Sequence, residues 1–145
     1  MCVHVKPSPF TTVMLIGWTI SGVVLFFSSF LDTGVSVVIP ASPPWAEASI
    51  GTFFTLGGSL ALWGSHYGID LSRKWRLDEL GMWLVAGGWA TYTVVAFIVL
   101  PTAPLHWIIS FTSFLGAVVR IVDIHRHRTK VETAVARFHS RGADD

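Results

Sequence analysis

Charge is what this sequence has least of. Only 13% of its 145 residues are Asp, Glu, Lys or Arg, against ~25% in an ordinary soluble domain. The hydrophobic share is 52%, more apolar surface than a soluble chain of this length can hide from water. Net charge is +1, so no overall basic field argues for nucleic acid as a partner. Cysteine is almost missing: Cys2 stands alone, which leaves no intrachain disulfide and no cysteine metal site. Chemistry-bearing motifs are missing as well. No Ser/His/Asp grouping, phosphate loop or zinc spacing occurs, and His125 and His127, two apart, point to nearly opposite faces of a helix. The expectation is a non-enzymatic protein without a cofactor.

What is present is a set of four apolar segments. Phe10 to Leu31, Ala48 to Gly68 and Gly81 to Leu100 hold no Asp, Glu, Lys or Arg. Pro104 to Ile124 holds charge only near its end, at Arg120 and Asp123. Each has about the ~20 residues that cross ~30 Å of hydrocarbon as a helix. The first is too long for a signal-peptide core, and no A-x-A site follows it. The expected fold is therefore an all-α integral membrane protein, with four transmembrane helices in residues 1–124 and a cytoplasmic tail over 125–145.

The basic residues set an expected orientation. The connection from Asp32 to Glu47 has no Lys or Arg, and the one at 101–104 has no charge. Arg73, Lys74 and Arg76 lie in the second connection; Arg126, Arg128, Lys130 and Arg137 lie in the tail. Positive charge is retained on the cytoplasmic side, so both termini are expected there, in an inner membrane with anionic headgroups. Trp45 and Trp107 then fall at the outer interface, and Trp63, Trp75 and Trp83 at or near the inner one, where indole settles. Trp18 and Trp89 lie deeper and are expected to pack.

At the end of the fourth segment, Arg120 and Asp123 are either buried functional charges or the mark of the membrane boundary. Arg120 lies five residues inside His125, ~7 Å along a helix, and an arginine stem can reach that far to water. Asp123, three residues on, can pair with it. Beyond, no helix breaker occurs before Gly142, so the segment is expected to continue as a basic amphipathic helix to about Ser140. Its apolar side is read as facing the membrane, another copy or a protein partner. Upstream, residues 68–80 read as a short interfacial helix or an extension of the third span. The Pro-rich outer loop, 35–45, reads as extended along the membrane surface.

Small residues recur at helical spacing. Gly57, Ala61 and Ser65 form one row in the second span, and Gly51, Thr55 and Ser59 another. The third span offers Gly87 and Thr91, the fourth Thr112 and Gly116. Such rows let helices approach closely in lipid. They serve either packing within a four-helix bundle or association between copies. For the latter, the second span, with two small faces, is the expected place.

The stretches "LDELGMWLVAGGWATYTVVAFIVLP" and "GAVVRIVDIHRHR" resemble small phage-encoded four-span membrane proteins, and the short multi-span format with charge-free spans and a basic tail resembles holins. Met1 and Met14, with Lys6 between them, are similar to the paired starts of some holins. That resemblance implies a homo-oligomer that opens a lesion in the inner membrane. A membrane-anchored interaction or exclusion protein, binding a partner through its tail or loops, is the alternative; a small channel or transporter subunit is a weaker one.

Overall fold

A computed structural model describes residues 9–30, 42–67, 71–102 and 104–141. It is all-helical over these residues: α1 (Pro9–Ser28), α2 (Pro44–Tyr67), α3 (Leu71–Val99) and α4 (Pro104–Arg141). The termini at 1–8 and 142–145, with Cys2 and Lys6, and most of the outer loop expectation, at 31–41, lie outside the described residues.

Prolines set the helix boundaries. Pro44 and Pro104 open α2 and α4, at the position where a missing N–H costs nothing. Ser42 Oγ donates to Glu47 Oε1 at 2.6 Å at the start of α2, with the acid in the first turn, where the helix dipole favours it. α3 ends at Val99, two residues before Pro101. Leu100, next to that proline, leaves the helical conformation because the ring crowds it, although its N–H still reaches Ala96 O at 2.9 Å.

Three of the four helices are long and apolar enough to cross a membrane: α1, residues 73–99 of α3 and residues 104–131 of α4. α2, 24 residues long, is not among them. Its length suffices, but Gly51, Gly57, Gly58, Gly64 and the interspersed Ser and Thr residues dilute its apolar content. α3 is one helix from Leu71 onward, so residues 71–80 extend the third span rather than forming a separate element. α4 likewise runs unbroken for 38 residues, about 57 Å at 1.5 Å per residue. That is well beyond the ~30 Å of a hydrocarbon layer.

The helices pack in chain order. α1 lies on α2, α2 on α3 and α3 on α4, and no other pair shares a comparable seam. The bundle is thus open, with α2 and α3 in the middle and one neighbour each for α1 and α4. Burial follows: 33% of the α3 span is buried, against 17% of α1 and 22% of α4. The main core gathers Leu15 and Leu25 of α1, Ile50, Phe54 and Ala61 of α2, Met82, Val85 and Ala86 of α3, and Ala117, Ile121 and Ile124 of α4. Serine and threonine hydroxyls inside the helices mostly turn back to the preceding turn, as Thr19 does to Leu15 O at 2.8 Å and Thr91 to Gly87 O at 2.9 Å. That keeps them satisfied where no water competes.

Candidate functional site

Two features stand out: seams of small residues, and a chain of charges at the open end of the α3–α4 hairpin. The first seam joins α1 to α2. A Cβ built on Gly22 would lie 2.5 Å from Thr55 N, and one on Gly51 2.6 Å from Phe26 N. Gly58 meets the Thr19 hydroxyl first, with Thr19 N 3.1 Å away. The second seam joins α2 to α3. A Cβ on Gly57 would lie 2.7 Å from Gly81 O, and one on Gly81 2.6 Å from Gly57 O. Farther along, Gly64 faces Asp78 N at 2.6 Å. At these distances backbone meets backbone, and no larger side chain fits without moving a helix.

Both small faces of α2 are therefore filled within the chain, one by α1 and one by α3. Ala61 and Ser65 are buried and Thr55 is partly so, but Ser59 is exposed. Gly87 barely touches Phe53, at 4.0 Å, while the adjacent Gly88 sits against the Phe54 ring; Thr91 lies alongside, partly buried. Thr112 and Gly116 are exposed, and nothing lies within 4 Å of a Cβ on Gly116. Thr112 and Gly116 thus leave a free small-residue face on α4, and Gly17 and Ser21, both exposed, leave another on α1, where nothing lies within 4 Å of a Cβ on Gly17.

The charge chain is built on α3 and α4. Arg120 Nη2 lies 3.4 Å from Asp78 Oδ2 across the seam, and Nη1 lies 3.6 Å from Asp123 Oδ2 on its own helix. Asp123 Oδ1 in turn lies 3.4 Å from His127 Nε2. The series runs from exposed to buried: the Asp78 side chain is 8% accessible and that of Arg120 31%. Asp78 Oδ1 and Arg120 Nε have no hydrogen-bond partner. The pairing of Arg120 with Asp123 is present, but Arg120 also ties α4 to α3. Asp78 was not singled out by sequence reasoning, because its tie to Arg120 spans 42 residues and has no spacing to reveal it.

At the hairpin's closed end, Thr93 and Ser110 bring their hydroxyls 3.0 Å apart across the same seam. Tryptophans divide by setting. Trp45, Trp63 and Trp83 are exposed, and Trp75, Trp18 and Trp89 pack on the main core. Trp107 packs with Ala46, Val95 and Ala96. Arg73, Arg76, Arg126 and Lys130 are exposed, and Lys74 and Arg128 partly so; the side chain of Arg137 lies outside the described residues. Among the described residues no three His, Cys, Asp or Glu side chains gather as metal ligands would.

No family model, curated protein or solved structure matches this chain.

Proposed function

We propose that the chain is a small inner-membrane protein with four spans and both termini in the cytoplasm, acting by association of copies within the bilayer. It does no covalent chemistry in this reading and holds no cofactor. The observation that carries it is the open bundle. The seams of α2 are used up inside the chain, while α4 presents Thr112 and Gly116 to its surroundings with no side chain over them. In lipid, where apolar burial gives no preference, such a close-approach face is what draws helices together. α2 is the fourth span of this arrangement. Its modest apolarity is tolerable because α1 and α3 cover it. Positive residues at 73–76 and 126–130 then face anionic headgroups on the cytoplasmic side.

The holin-like resemblance gives this association a purpose: accumulation, then an abrupt lesion. Controlled expression with a potential-sensitive dye tests it. The expected result is a sudden collapse of membrane potential after a lag. Slow growth with an intact potential would reject pore formation.

A second reading is favoured by the unbroken run of α4 to Arg141. A rod that long extends beyond the bilayer and offers a basic surface to a partner or to headgroups, which suits an interaction or exclusion protein. Deleting residues after Lys130 would then abolish activity while leaving insertion intact.

A further inference from the structure

We propose that Asp78 and Arg120 form a releasable latch that seats α4 against α3, and that α4 pivots about the closed end of the hairpin, near Thr93 and Ser110, when the latch changes partners. The two ends of this hairpin are held differently. The closed end is joined covalently through Pro101 and is tied by the Thr93–Ser110 hydroxyl pair. At the open end, the described polar tie is Arg120 to Asp78. Between them the seam is thin: the buried residues of α4 are Ser110, Ala117, Ile121 and Ile124.

The latch has a second, charge-balanced state. Arg120 already lies within reach of Asp123 on its own helix. Asp78 has Lys74 one helical turn before it on α3, at a spacing where opposite charges meet. Moving Arg120 wholly to Asp123 and Lys74 onto Asp78 replaces the interhelical pair with an intrahelical one at Asp78 and keeps the Arg120–Asp123 pair. No carboxylate is left bare, so the usual penalty for breaking a buried pair is largely avoided. The seated state is itself incompletely bonded, with Asp78 Oδ1 and Arg120 Nε unpartnered. Two packings of similar free energy are what a switching element requires.

α4 continues from the latch through His127 and Lys130 as one helix. Anything that pulls on the tail therefore acts on Arg120 as on a lever. The inference rests on the proposed topology only in placing this end of the hairpin at the cytoplasmic face.

The test uses the full-length chain with Cys2→Ser and Ile124→Cys, in vesicles with the cytoplasmic face outward, and a membrane-impermeant maleimide. Position 124 is buried, at 5% accessible, and should label slowly. Arg120→Gln and Asp78→Asn should each raise labelling several-fold, and the exchange Asp78→Arg with Arg120→Asp should restore protection. A disulfide between Thr93→Cys and Ser110→Cys should form equally in every variant, showing that the closed end stays folded. Unchanged labelling in both single variants overturns the latch, as does an equal rise in Asp123→Asn or loss of the disulfide in Arg120→Gln. Thr129→Cys, exposed on the tail, reports sidedness separately: its failure to label in these vesicles would refute the topology reading.

Discussion

α2 and α4 carry the same kinds of small residue and use them in opposite ways. On α2, Gly57 has the backbone of α3 within 3 Å of where a Cβ would sit, and Gly51 has that of α1. On α4, Gly116 has nothing within 4 Å. The difference comes from position in the row, since α2 has a neighbour on each side and α4 has one. A small-residue pattern thus marks a surface fit for close approach, and the topology decides whether another part of the chain has already taken it.

The sharpest way to break this comparison is to enlarge both kinds of glycine. Gly57→Val or Gly81→Val should destabilise the protein by about 3 kcal/mol or more, since each forces two backbones apart. Unfolding in detergent micelles measures it. Gly116→Val, by contrast, should stay within about 0.5 kcal/mol, as for a surface position. Equal losses at positions 57 and 116 would dissolve the distinction between filled and free faces.

Smaller effects sharpen the account of the α3–α4 seam. Arg120→Gln should cost about 1 kcal/mol, below the ~1.5–3 typical of hydrogen bonds to charged groups, because the contact is long and Arg120 is partly exposed. Thr93→Val should cost about 0.6 kcal/mol, the usual worth of a hydroxyl contact between membrane helices. Gly116→Ala should be the mildest change, with a gain of about 0.5 kcal/mol from helix propensity when unfolding is measured on the dispersed monomer.

Much of the architecture was legible in the sequence. Charge-free runs marked the helices, Pro101 and Pro104 the turn between α3 and α4, and the unbroken sequence after Ile121 the length of α4, whereas Pro44 and Trp45, read as part of the extended outer loop, open α2 instead. The second helix reads less plainly by hydropathy, because residues chosen to fit against other backbones are not the ones that dissolve in lipid. The seams were half legible. Rows spaced by four pick out Gly51–Thr55 and the buried Gly57, Ala61 and Ser65, but the first row then drifts to the exposed Ser59. The residues that continue the seams are Gly58 and Gly64, each seven after its partner, as Gly88 is after Gly81. A spacing of four then three is the signature of helices that cross in a left-handed sense, and it was the signal to follow. Asp78 had no such signal: its meaning depends on which turn of α4 reaches it.

The proposal that copies meet through α4 and not α2 is tested most directly by cysteine cross-linking in native membranes. Single cysteines in a Cys2→Ser chain would be placed on α4 at 112, 116 and 119, and on the exposed side of α2 at 56, 59 and 63. All six positions are exposed in the single chain. The account predicts disulfide-linked dimers from positions 112 and 116, fewer from 119, and none from the α2 set. Dimers forming chiefly through positions 56, 59 or 63, with α4 silent, would contradict it.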